Sequence, residues 1–253
     1  MEISRPSRTR RIVALLAIVL NVAFGYVYPY LPFGLEDMRT ASGHYPNLFT
    51  PAPYAFSIWG LIYLSWLLYV LYSLLPGQRR NVLHDRLCGP LILLNVMASA
   101  WIVEFAGGYL GTSQLLIGAM AVTGALLFAR AKSGTGSARF MFPFSLFLGW
   151  ITVANLANLA ALLSSLGWRG GSLGEPAFTM LLLAAAAILG LFVGYRFRDF
   201  TYLLVIAWAT AAIGVKQRDA APSVAMVAFG VAALMLAWSV MNGVRSQRPA
   251  RGR

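Results

Sequence analysis

"FTPAPYAFSIWGLIY", residues 49–63, decides how the chain is read. Two prolines and a threonine lead into an uncharged aromatic run, and the run stays apolar to about residue 75. Pro53 suits a first helical turn, where its missing N–H removes no hydrogen bond. A bilayer core takes about 20 helical residues, so the stretch predicts a transmembrane helix that starts at a rigid proline corner. Phe56, Trp59, Tyr63, Trp66 and Val70 recur at spacings of three and four. That spacing gathers them on one helix face about 80° wide. Gly60 interrupts the bulk beside Trp59, which either lets another helix close in or leaves room for a ligand. Such a face serves packing, an interfacial belt or ligand stacking, and one helix alone does not choose among them.

The rest of the chain agrees with a membrane setting. Of its 253 residues 59% are hydrophobic and 11% charged, with mean hydropathy +0.70. Soluble domains carry about 25% charged residues, so the chain reads as an integral membrane protein. Eight apolar segments are predicted, at roughly 12–31, 53–75, 87–107, 112–130, 140–163, 176–195, 200–215 and 222–243. The first has an arginine-rich flank like a signal peptide but lacks an A-x-A site and runs longer, so it is expected to stay as an anchor. The seventh is short and ends at Lys216, whose long stem can snorkel to the interface.

Charge sets the orientation. With the N-terminus inside, Arg5, Arg8, Arg10, Arg11, Arg79, Arg80, Arg86, Arg130, Lys132, Arg139, Arg196, Arg198, Arg245, Arg248, Arg251 and Arg253 are cytoplasmic. These are 16 of the 20 basic residues, and only Arg39, Arg169, Lys216 and Arg218 fall outside. The positive-inside rule then favours eight spans with both termini cytoplasmic over seven spans with an external tail. The net charge of +12 is dispersed among short loops, so nucleic acid is not an expected partner. The single Cys88 excludes an intrachain disulfide and any CxxC metal or redox motif. His44 and His84 fall in different predicted loops and read as solvated side chains.

The first outer loop, about Pro32 to Ala52, is long enough for a lid or binding loop, with Tyr45, Phe49 and Pro51 as candidate lid residues. "GWRGGSLGEP", residues 167–176, reads as a seam. The expected organisation is a five-helix bundle over 1–166, a glycine-rich connection over 167–175, a three-helix extension over 176–244 and a basic cytoplasmic tail over 245–253. The extension is alanine-rich, and Gly190 and Gly194 stand at the GxxxG spacing that lets helices approach closely.

Chemistry-bearing residues are few. On the fifth span Pro143, Phe147, Trp150, Ala154 and Asn158 share a face, with Asn155 about 60° away. Unsatisfied amides in hydrocarbon cost several kcal/mol, so Asn155 and Asn158 must bond either to other helices or to a ligand. On the third span Asn95 and Ser99 share a face, while Glu104 lies about 180° from Asn95, with Trp101 also on another face. Glu104 is a candidate proton site because an intramembrane carboxylate is functional by default; snorkelling or pairing is the alternative. No HExxH, GxSxG, P-loop or paired carboxylate is present, so no catalytic or metal residue is assigned.

The quoted stretch resembles the second-helix pattern of the TspO/translocator protein family, the tryptophan-rich sensory or peripheral benzodiazepine receptor-like proteins. Thr50, Pro51, Phe56, Trp59 and Tyr63 fall on that pattern. "LNVMAS", residues 94–99, is similar to the family's L-N-x-x-W-S, with Ala98 in place of its tryptophan and Trp101 one turn later. "PFSLFLGWITVAN", residues 143–155, is similar to its fifth-helix pattern through Pro143 and Asn155, with Phe144, Phe147 and Trp150 as aromatic exchanges. The K-P-x-W of the family's first loop is replaced by Tyr45, Pro46, Asn47 and Phe49. The resemblance spans about residues 12–165. It implies a five-helix bundle that binds porphyrins or haem, sterols or synthetic aromatic ligands beneath the first outer loop.

Together these readings predict an all-α multi-pass protein of a bacterial-type inner membrane, a TspO-like five-helix bundle with three added helices. Its expected function is binding, sensing or transport of a hydrophobic aromatic molecule, with a tetrapyrrole or a sterol-like compound as candidate ligands. The expected ligand-binding residues are Phe56, Trp59, Tyr63, Asn95, Ser99, Phe147, Trp150, Asn155 and Asn158. The alternatives are a membrane enzyme acting on bound porphyrin and a structural subunit of a membrane complex; a homodimer is a further candidate assembly.

Overall fold

The computed structural model describes residues 7–134 and 137–246. Arg5, Arg248, Arg251 and Arg253 of the inner charge set, and residues 247–253 of the basic tail, lie outside the described residues. Among the described residues there is no strand, and eight helices are long and apolar enough to cross a membrane. The α-helices are α1 Arg8–Val27, α2 Met38–Gly43, α3 Ile58–Leu74, α4 Val82–Ala106, α5 Leu110–Gly134, α6 Ala138–Ser165, α7 Gly174–Phe197, α8 Phe200–Gln217 and α9 Pro222–Ser246.

Helix boundaries depart from the apolar segments where capping, not hydropathy, decides. The α4 helix starts five residues before its apolar run because Asn81 accepts a hydrogen bond from the Leu83 N–H at 3.1 Å. Asp85 occupies its first turn, where free N–H groups favour a carboxylate. The proline corner at Pro53–Ser57 is a 3-10 turn, and α3 proper begins at Ile58. Within the first outer loop α2 is an unforeseen helix. The Asp37 carboxylate accepts from the Thr40 N–H at 3.3 Å and from its hydroxyl at 2.7 Å, closing that first turn.

The chain forms two compact units: one of residues up to His44 with Ser57–Ile151, the other of Tyr45–Phe56 with the chain from Thr152 onward. In the first unit α1 packs on α3 and α4, and α4 packs on α5. A buried ion pair ties one end of it together. Arg11 of α1 meets Asp85 of α4 through two 3.0 Å hydrogen bonds, both residues 2% exposed. The same guanidinium donates to the carbonyls of Ser73 at 2.5 Å, Gln78 at 2.8 Å and Asn81 at 3.0 Å. Ser73 lies in the last turn of α3, whose carbonyls lack helical donors and carry the negative end of the helix dipole.

His84 corrects the sequence expectation. It is not solvated but fully buried, with Nδ1 3.0 Å from the Tyr69 hydroxyl and Nε2 3.1 Å from the Gln78 side-chain oxygen. The early start of α4 carries it inward. His44 is exposed as expected and sits 2.6 Å from Glu36.

In the second unit α7, α8 and α9 pack mutually. A Cβ on Gly190 would lie 2.6 Å from the Met235 sulfur, and one on Gly194 2.9 Å from Leu203 and 3.1 Å from Trp238. The GxxxG pair therefore serves close helix packing. Residues 45–56 form a strap on this unit. The Ala52 N–H donates to the Ala212 carbonyl at 3.0 Å, and the Ser164 hydroxyl to the Pro46 carbonyl at 2.8 Å. The Leu48 N–H reaches Glu175 at 3.2 Å, and Tyr54 sits edge-on to Trp208 at 5.3 Å. In the glycine-rich connection Gly170 has φ +89°, and a Cβ there would meet the Gly174 carbonyl oxygen at 2.3 Å. Only glycine fits that turn.

Candidate functional site

The first unit gathers aromatic side chains from three helices around Trp59. The 3.6-residue period of α3 places Trp59, Tyr63 and Trp66 on successive turns of one face. Trp59 stacks on Tyr63 with ring centres 5.5 Å apart and planes 26° from parallel. From α4, Trp101 lies 6.4 Å from Trp59, and Phe105 continues the row 5.5 Å beyond Trp101. From α6, Phe147 and Trp150 lie 6.5 and 6.4 Å from Trp59, the latter edge-on at 82°. Phe147 also packs 4.8 Å from Trp66. These separations fall in the range where aromatic pairs attract beyond simple burial.

Burial is uneven across the cluster. Trp66, Phe147 and Trp150 are 0%, 1% and 2% exposed, whereas Trp59 and Tyr63 are only half-buried. Gly124 of α5 seats Phe147, since a Cβ there would come within 2.7 Å of the ring. Gly60, by contrast, has nothing within 4 Å of a built Cβ. It is therefore not a point of close helix contact.

The amide and hydroxyl groups of this unit bond to one another. Asn21 of α1 donates to the Asn95 side-chain oxygen at 3.0 Å and accepts from the Ser99 hydroxyl at 2.8 Å. Asn95 donates onward to the Leu91 carbonyl at 2.8 Å, and the Tyr63 hydroxyl bonds to Asn21. Asn95 and Ser99 thus have internal partners. Glu104 is half-buried and accepts a hydrogen bond from the Thr112 hydroxyl across the α4–α5 turn. One of its oxygens therefore has a neutral hydroxyl partner.

The structure brings together Trp59, Tyr63, Phe147 and Trp150 of the expected set. Phe56, Asn155 and Asn158 belong to the second unit, as do Tyr45, Phe49 and Pro51 of the expected lid. Asn158 is buried, Asn155 and Phe56 are half-buried, and Phe49 is fully enclosed. Three participants were not singled out from the sequence as site residues: Trp101, Phe105 and Asn21. For Trp101 a signal existed, since it follows the motif position held by Ala98 by one turn. Asn21 is the lone amide of an apolar helix, which was signal enough to ask for its partner.

The arrangement offers stacking surface and shape, with no ionised group among its rings. No curated protein and no solved structure matches the chain. A family model described as TSPO-like protein matches residues 11–241, a range that takes in all eight spans and extends past the residues carrying the sequence resemblance. The chain is a multi-pass, all-helical membrane protein that belongs to the TSPO-like family.

Proposed function

We propose that the first unit binds a flat hydrophobic molecule against Trp59 and that the protein senses or carries it. The family supports membrane ligand binding or transport in general. The observation that supports the finer reading is the incomplete burial of Trp59 and Tyr63 beside fully enclosed Trp66 and Trp150. A cluster built only for packing would gain most by enclosing its central indole, because each ring edge without a protein neighbour forgoes close-packed dispersion contacts. The part of Trp59 left uncovered by Tyr63, Trp101, Phe147 and Trp150 is the stacking surface this reading gives to an aromatic ring. A tetrapyrrole and a sterol-like compound are the candidate ligand classes, and a bacterial-type inner membrane is the proposed location.

Titration with protoporphyrin in detergent tests the proposal, with tryptophan fluorescence as the readout. Binding should quench emission, and Trp59→Leu with Trp101→Leu should weaken it at least about tenfold, equivalent to about 1.4 kcal/mol. Unchanged affinity in a folded double variant would return these rings to packing alone. Conversion of the porphyrin to a new product would favour the enzyme reading, and a stoichiometric co-purifying subunit the scaffold reading.

A further inference from the structure

A cavity lies at the Arg11–Asp85 end of the first unit, between α1, α4 and α5. Its volume is about 580 Å³, and its lining includes Arg10, Arg86 and Arg130, one arginine from each helix. All three are exposed, and among the described residues none has an ion-pair partner. The one carboxylate in the lining, Asp85, is already neutralised by Arg11. Three guanidinium charges therefore face a single cavity without a counter-charge from the protein. Gly89 and Gly134 line it as well, so backbone rather than bulk forms part of its wall. Guanidinium groups bind phosphate oxygens through paired N–H donors.

A second cavity of about 520 Å³ follows along the same helix pair. It is a largely apolar groove: Val13, Leu16, Ala17, Leu20 and Phe24 of α1 and Val96 of α4 line it, together with the Asn21–Asn95–Ser99 network, whose members bond to one another. Val13, Leu16, Leu20 and Val96 are all exposed. On α1, Arg10 of the first cavity lies within about 60° of Ala17 and Phe24 of the groove, and on α4, Gly89 lies about 20° from Val96. The charged cavity and the apolar groove thus share one face of both helices. From Val13 to Phe24 the groove runs about 16 Å, near half of the roughly 30 Å hydrocarbon core. It has the depth of one leaflet.

We propose that this face holds an anionic phospholipid, its phosphate among Arg10, Arg86 and Arg130 and an acyl chain along the α1–α4 groove. The positive-inside orientation puts the arginine end at the cytoplasmic surface, where anionic headgroups meet basic pockets between helices. Neither part alone specifies this ligand. Free phosphate would use the arginines and ignore the groove, and a neutral lipid would use the groove and ignore the arginines.

Native mass spectrometry of the full chain, delipidated and titrated with phosphatidylglycerol, phosphatidylcholine or inorganic phosphate, separates these cases. Phosphatidylglycerol should be retained at least about tenfold better than phosphatidylcholine, and Arg86→Gln with Arg130→Gln should abolish that preference. Ala17→Phe, which fills the groove and leaves every arginine in place, should weaken retention while phosphate alone competes poorly. Equal retention of the two lipids, or a preference that survives the arginine substitutions in folded protein, overturns the proposal. Full displacement by millimolar inorganic phosphate, with no effect of Ala17→Phe, overturns it in favour of a soluble-anion site.

Discussion

Replacing either member of the Arg11–Asp85 pair should reveal how much of the first unit hangs on it. The guanidinium uses all five of its N–H donors: two on the Asp85 carboxylate and the others on the Ser73, Gln78 and Asn81 carbonyls, with the Arg79 carbonyl at the 3.5 Å limit. Breaking a buried pair from one side costs about 3–5 kcal/mol, because the remaining charge stays enclosed and uncompensated. Asp85→Leu should therefore cost about that much. Arg11→Met should cost more, since it strands the carboxylate and also removes the donors of three carbonyls, each worth about 1–3 kcal/mol if left dry. The double variant Arg11→Met with Asp85→Leu should be more stable than Arg11→Met alone. It keeps the carbonyl deficit but no longer buries a lone charge. Reversible unfolding in mixed detergent gives the four free energies of the cycle, and the coupling should be about 2–4 kcal/mol. Additivity within about 0.5 kcal/mol would show the pair to be energetically idle.

Other perturbations test separate links. Gly124→Val should cost about 1–3 kcal/mol by driving the Phe147 ring from its seat and should alter emission from the adjoining tryptophans. Gly60→Ala, at a position with free space, should be neutral or stabilise by up to about 1 kcal/mol. In the second unit Gly194→Leu should destabilise by at least about 1 kcal/mol through collision with Leu203 and Trp238, measured by thermal unfolding. Cysteines introduced near Gly134 and Ser246 should label from the cytoplasm and those near Ser42 and Gly171 from outside; external labelling at Ser246 would remove the eight-span topology.

How far the fold was legible follows from what hydropathy and periodicity measure. All eight spans were legible because long apolar runs are a local property of the chain, and the stacking of Trp59 on Tyr63 follows from their spacing on one helix. Partners on other helices were not legible. Asn21 and Asn95 lie 74 residues apart, as do Arg11 and Asp85, and no local pattern joins them. His84 reads from sequence as a loop residue because apolar counting stops at charged residues, whereas the Asn81 cap starts the helix before it. Trp101 was assigned to a face away from Asn95, which is correct on the wheel, yet that face is the one that meets Trp59. Helical arithmetic fixes which residues share a face. Tertiary packing decides what the face touches.

The Asn21–Asn95–Ser99 network bears on what the aromatic site can select. A site that orients its ligand by hydrogen bonds needs donors or acceptors left over for it, and the amide of Asn95 meets Asn21 and Leu91 instead. Selectivity at the Trp59 cluster should then come from ring size and shape. Asn95→Leu should accordingly destabilise the protein by about 1–3 kcal/mol, the cost of leaving the Asn21 amide without its acceptor. In the fraction that remains folded, it should leave unchanged the ranking of ligands that differ only in polar substituents. Competition binding with a series of aromatic ligands of one ring size measures that ranking, and thermal unfolding measures the stability. A reordered ranking at unchanged stability would mean that Asn95 breaks its bond to Asn21 to meet the ligand. The network would then be part of the binding site rather than a brace between α1 and α4.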